Sequence, residues 1–273
     1  MRSIYALLLV GIMMTGCKNE QKKESGTAAS EENENTEQMV ATSEKDSAEI
    51  KIDPISHATT VIHFGDKVIY LDPVGGAEGF DGKDKADFVL ITHTHPDHMD
   101  PETLKGLNLG DTPIIVPQTV KDALPQELQK NLIVMNNGES REESGINTKA
   151  LPMYNLPESK DAYHVKGKGN GYILESNGKK LYIAGDTEDI PEMRNLKDID
   201  VALIPMNLPY TMPVEKAAEG VLAFAPKKVY PYHYRNKDGF SDVEHFKELV
   251  NEKNKDIEVV LLDWYPESQN TNE

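Results

Sequence analysis

Residues 92–98 read Thr92-His93-Thr94-His95-Pro96-Asp97-His98, directly after the apolar run Ala86–Ile91 (ADFVLI). Such a run reads as a buried strand, and a strand end delivers the residues that follow to a sheet rim, where clefts form. His93 and His95, two apart, can point the same way from an extended segment and chelate one metal ion. Pro96 then bends the chain, so that Asp97 and His98 can face a second. Neutral imidazole and carboxylate suit zinc and similar borderline divalent ions.

Outward from this heptapeptide the chain alternates strand and helix patterns. Ile50–Ile55, Thr59–His63 and Lys67–Leu71 read as strands, the last two joined by a Gly65-Asp66 turn. Pro101–Leu107 and Gln118–Leu132 read as helices with the strand Pro113–Val116 between them. Gly171–Glu175 and Lys179–Ala184 flank Asn177-Gly178, a hairpin signal. Val201–Pro205 and Lys228–Tyr232 read as strands around the helix Pro213–Phe224, which has Pro at its start. Ser241 is expected to cap a helix running to Asn254, with Glu244 completing a capping box, before a closing strand Ile257–Leu262. The order suggests two sheets packed face to face with helices outside, in two similar halves.

The chain of 273 residues carries 29 Lys and Arg against 46 Asp and Glu, a net charge of −17. Phosphate backbones are bound by Lys and Arg, so this balance opposes a nucleic-acid partner. The single cysteine, Cys17, excludes an intramolecular disulfide and a cysteine-based zinc finger. Residues 1–17 (MRSIYALLLVGIMMTGC) combine Arg2 with a short apolar stretch and fit a secretory signal rather than a spanning helix. The small residues before Cys17 resemble a bacterial lipoprotein signal, with Met14 where Leu is more usual. The resemblance implies that Cys17 is lipidated and that the protein sits at the extracytoplasmic face of the cell envelope, held by acyl chains alone. Residues 18–49 are polar and rich in Glu, Ser, Asn and Lys, with almost nothing to bury, and read as a disordered linker. Residues 50–273 then form the folded domain.

The H-x-H-x-D-H arrangement resembles the signature of the metallo-β-lactamase superfamily, and the resemblance extends over nearly all of residues 50–273. The stretches HATTVIHFGDKVIYLDP (57–73), YILESNGKKLYIAGDTEDIPEM (172–193), DVALIPMNLPYTM (200–212) and VYPYHY (229–234) look most like bacterial metal-dependent hydrolases related to ascorbate-6-phosphate lactonases. The resemblance implies an α/β fold, a four-layer αββα sandwich. It also implies two divalent ions, zinc by default, with manganese or iron compatible with the same ligands. His93, His95 and His164 would hold one ion; Asp97, His98 and His233 the other; Asp186, in the segment Ala184-Gly185-Asp186-Thr187, would bridge them. Asp72, closing the strand VIYLDP, would brace the metal loop from behind. Every one of these residues stands at or just past an expected strand end, so the spacing makes chemical sense by itself. Two such ions leave room for a bridging hydroxide and polarise a carbonyl or phosphoryl oxygen. Asp97 would also handle the proton. His57 aligns with a histidine of this group and is a candidate for the cleft wall, as are Tyr210 and Thr211; His63 and His245 read as structural or surface residues.

Residue chemistry sorts the activities within the superfamily. Many zinc β-lactamases have Cys at the position of Asp186, and the oxygen-reducing diiron relatives have an acidic residue at the position of His95. RNA-processing relatives must bind a polyanion, which the net charge opposes. A hydrolase of a small ester, lactone or phosphodiester remains; the alternative is a non-catalytic envelope lipoprotein that binds a ligand or metal. Cys17→Ser is expected to release the protein from the membrane fraction, and a variant that stays bound after a salt wash would refute the lipid anchor.

Overall fold

A computed structural model describes residues 49–266; the signal segment, Cys17 and residues 18–48 of the linker lie outside the described residues. The first sheet takes the strands β1 (Ile50–Ser56), β2 (Thr59–Phe64), β3 (Lys67–Leu71), β4 (Phe88–Leu90), β5 (Ile114–Val116) and β6 (Leu132–Val134) in that spatial order. The second takes β7 (Ser140–Glu143), β8 (Ile146–Pro152), β9 (Asn170–Ser176), β10 (Lys179–Ile183), β11 (Val201–Pro205) and β12 (Lys228–Tyr232), with Glu258–Val259 paired beyond β12. Each sheet begins antiparallel, as β1-β2-β3 and β7-β8-β9-β10, and continues parallel. The two halves expected from the sequence are therefore present as the same pairing pattern used twice.

Period-two alternation separates the layers. Phe88 and Leu90 join Leu181, Ile183 and Leu203 in one core between the sheets. Val89 and Ile91 face out, onto Leu104 of α1 (Pro101–Gly106) and Val120 of α2 (Gln118–Ala123). On the far side Tyr182, Ala202 and Ile204 pack on Ala217 and Val221 of α4 (Val214–Phe224), which follows a short α3 (Pro191–Arg194), and on Phe246 of α5 (Val243–Lys253). Helix, sheet, sheet and helix make the four-layer sandwich. No described helix is long and apolar enough to cross a membrane.

Several local expectations give way. The helix expected over Gln118–Leu132 stops at Ala123, because Pro125 cannot continue it; a turn of 3₁₀ helix follows at Gln126–Leu128, and Leu132 opens β6. The cap of α5 is Asp242, whose Oδ1 accepts from the His245 amide at 2.9 Å. Ser241 is drawn away, its hydroxyl donating to the Met206 carbonyl and, at 3.0 Å, to Asn236 Oδ1. The closing strand is paired only over Glu258–Val259.

The topology gathers the strand ends that matter. β3, β4, β10 and β12 run in parallel portions of their sheets, and Asp72, His93, Asp186 and His233 follow their C-terminal ends. β9 approaches β10 closely at Gly171, where a Cβ would meet the Ala184 carbonyl oxygen at 2.8 Å and that of Ile183 at 3.0 Å. Both are backbone atoms just before Asp186 and cannot swing aside. Gly171→Ala is expected to cost about 1–3 kcal/mol, the range for overpacking, read as a lower urea midpoint; an unchanged midpoint would mean that the two strands part freely.

Candidate metal centre

The loop after β4 is held by one buried carboxylate. Asp72 accepts the Thr92 amide on Oδ1 at 2.7 Å, and on Oδ2 the Thr92 hydroxyl and His98 Nδ1, each at 2.7 Å. Asp72 itself has φ 42°, a left-handed conformation that costs a non-glycine residue energy. His57 (φ 58°) and His233 (φ 49°) share it. Backbone bonds tie these two together: the His57 amide donates to the Trp264 carbonyl at 3.0 Å, and the His57 carbonyl accepts from His233 at 3.2 Å. Three left-handed residues at one rim make a cluster of strain that the hydrogen bonds around it sustain.

The nitrogens of six histidines converge there. His95 Nδ1 stands 3.0 Å from His93 Nε2 and 3.2 Å from His164 Nε2. His98 Nε2 stands 2.9 Å from His233 Nε2. The outer nitrogens are anchored: His98 Nδ1 on Asp72, His93 Nδ1 on the Thr92 hydroxyl at 3.0 Å, and His164 Nδ1 on the Tyr210 carbonyl at 3.2 Å. An Nδ1–H donated outward leaves the Nε2 lone pair pointing inward, the arrangement that orients a metal-binding imidazole.

Asp186 lies between the two sets. Its Oδ2 is 3.3 Å from His164 Nε2, and its Oδ1 is 3.3 Å from His98 Nε2 and 3.4 Å from His233 Nε2. Oδ1 is buried and has no hydrogen-bond partner among the described residues. An orphaned carboxylate oxygen facing converging nitrogens is costly on its own and fits a cation. The donor atoms form three overlapping groups able to hold a metal ion: His93, His95, His164 and Asp186; His98, Asp186 and His233; and His57, Asp97 and His233.

Electrostatics agree with that geometry. Burial keeps the imidazoles of His93, His95 and His57 below the ordinary histidine range, hence neutral and free to donate a lone pair. Burial also opposes the charge on His98, but Asp186 and Asp72 outweigh it and favour a positive charge there, which a metal ion on Nε2 would supply in place of the second proton. Burial raises the carboxyls of Asp186 and Asp97; the histidines around them more than reverse this and keep both ionised well below the usual carboxylate range.

All seven residues expected as ligands thus meet at one rim, with Asp72 behind them. Asp97 stands toward the edge, its Oδ2 3.4 Å from His233 Nε2 and 3.9 Å from His98 Nε2. His57 is closer than the sequence implied, its Nε2 3.2 Å from Asp97 Oδ2 and its Nδ1 2.7 Å from the Tyr265 hydroxyl. Thr211 is buried, and its hydroxyl is used within its own turn, bonding Asn207 Oδ1 at 2.6 Å. Tyr210 contributes its carbonyl to His164, while its exposed ring meets Tyr163 edge-on at 5.1 Å. His63 and His245 join none of the three groups. Sequence reasoning missed Tyr265, 208 residues from its partner and without a motif, and Thr92, the hinge of the Asp72 bonds.

Comparison with known proteins bears on the fold and the family. Residues 51–233 match the family model of the beta-lactamase superfamily domain. A UPF0173 metal-dependent hydrolase of Thermococcus onnurineus is 31% identical over 222 residues, covering 78% of this chain and 96% of its own. A crystal structure from Parabacteroides distasonis has 37% identity and a TM-score of 0.69, covering 79% of this chain and 94% of its own. A metallo hydrolase from Ignicoccus hospitalis has 25% identity and a TM-score of 0.66, covering 78% and 94%. Replacing the carboxylate behind the loop should loosen the site without emptying the core. Asp72→Asn is expected to lower zinc affinity about 10- to 100-fold, the usual effect of losing such a partner, measured by chelator competition; unchanged affinity would refute the bracing role.

Proposed function

The chain belongs to the beta-lactamase superfamily domain family, as a metal-dependent hydrolase, and we propose that it works with two divalent ions on a small ester, lactone or phosphodiester. The observation that carries the dinuclear reading is Asp186, whose two oxygens face two different histidine sets. His93, His95 and His164 would hold one ion, and His98, His233 and Asp97 the other, with Asp186 shared. Zinc is the first choice for such nitrogen and carboxylate donors, with manganese or iron next. The stretches quoted above support a kinship with ascorbate-6-phosphate lactonases, and the Cys17 segment supports a lipid-held protein at the extracytoplasmic face of the cell envelope.

Bound ions supply Lewis acidity and a water that loses its proton near neutral pH. The chain's own residues do the rest. Asp97 is partly exposed, ionised, and 3.2 Å from His57 Nε2. It takes the proton of the attacking water and hands it to the leaving-group oxygen as the bond breaks. His57, fixed by Tyr265, orients the Asp97 carboxylate for that transfer. No serine or cysteine nucleophile is needed.

Hydrolysis should be sought by screening the metal-loaded protein against lactones, phosphodiesters and esters. Asp97→Asn keeps the size but removes the basic oxygen, so kcat should fall at least about 100-fold, the lower end of general acid–base contributions, with KM changed much less. Recovery of most of kcat on adding excess metal would reduce Asp97 to a ligand and overturn the proton-transfer role.

A further inference from the structure

Beside the His93, His95 and His164 set lies a cleft of about 230 Å³, walled by Met153, Tyr163 and Val165 with Thr94, Thr119 and Lys168. It opens directly on the three histidines, so whatever is cleaved there extends into it. Its walls are of two kinds. Part of the lining is apolar and aromatic, and continues outward. Of the five large hydrophobic side chains exposed among the described residues, four (Leu156, Tyr163, Leu208 and Tyr210) stand on the two loops next to this cleft. Those loops are locked to each other, since Asn155 Nδ2 donates to the Tyr210 carbonyl at 2.8 Å and the same carbonyl holds His164. The rim is therefore a built surface.

The lining also carries a cation. Lys168 is the charged residue of the lining other than the histidines, and among the described residues no carboxylate lies within ion-pair distance of it. Its neighbour Lys166 shows the contrast, pairing with Glu158 at 2.9 Å and Glu192 at 3.1 Å. The Lys168 backbone is fixed: its amide donates to the Val165 carbonyl at 3.1 Å, and its carbonyl accepts the Thr119 hydroxyl at 2.5 Å. In a chain of net charge −17, an exposed lysine of the cleft lining without a carboxylate beside it attracts an anion.

We infer that the substrate is an amphipathic acid: beside the bond that is cleaved it carries an apolar body that lies on the Tyr163–Tyr210 rim and an anionic group that Lys168 receives. This rests on the hydrolase reading above and narrows its substrate class. Lys168 is a specificity residue, since it stands outside the three donor groups.

The test uses the zinc-loaded full chain and two isosteric esters, mono-4-nitrophenyl adipate and 4-nitrophenyl hexanoate. The native protein is expected to prefer the adipate in kcat/KM. Lys168→Gln should lower the adipate-to-hexanoate ratio by up to about 5-fold, the upper end for an exposed ion pair. Lys168→Glu should lower it further, and Lys168→Arg should retain it. An unchanged ratio in Lys168→Glu overturns the inference. A second measurement needs no turnover: calorimetric binding of 6-phenylhexanoate against 6-phenylhexanamide. Preference for the carboxylate that is lost in Lys168→Gln supports the inference even if neither ester is cleaved, in which case the ester-hydrolase reading alone fails. Preference that survives in Lys168→Gln puts the anion on the metal ions and overturns it.

Discussion

A single buried carboxylate organises this protein. Asp72 receives the Thr92 amide, the Thr92 hydroxyl and His98 Nδ1, and so fixes both the start and the far end of the histidine loop. The loop has few alternatives, because an unpaired buried carboxylate would cost several kcal/mol. Parallel pairing of β3 with β4 sets Asp72 beside Thr92, and the inter-sheet core of Phe88, Leu90 and Leu71 holds that pairing in place. The direction of His98 Nε2 follows, and with it the place where His233 and Asp186 must meet it. The site is thus a consequence of strand pairing, carried to the rim by hydrogen bonds.

The same logic explains how much was legible in the sequence. The histidine loop and Asp186 are short, local patterns following apolar runs, and each falls where the fold needs it. Strands buried on both faces, such as β11, read clearly because every residue is apolar or small. The stretch 132–152 did not. Leu132–Val134 is only three residues long, Ser140–Glu143 is a charged edge strand, and β8 alternates through Thr148 and Ala150, which carry little hydrophobic signal. Gln118–Leu132 was misread because helical spacing was followed across Pro125. His57 was ambiguous for a different reason. Its meaning depends on Asp97 and Tyr265, which only the tertiary fold brings to it.

The charge distribution has two scales. The chain as a whole is acidic, with a net charge of −17. At the rim the balance is local: a few ionised carboxylates stand among six imidazoles, burial keeps several of those imidazoles neutral, and the negative charge left over suits a bound cation. Left-handed backbone at Asp72, His57 and His233 belongs to the same pattern, strain retained where function needs groups held apart from their relaxed positions.

The central claim is that two ions share Asp186. Crystals soaked in zinc and measured at its absorption edge test this most directly. The account predicts two anomalous peaks about 3.5–4 Å apart, one beside His93, His95 and His164 and one beside His98 and His233, with the Asp186 carboxylate between them. A single peak, or a second one away from Asp186, would contradict it.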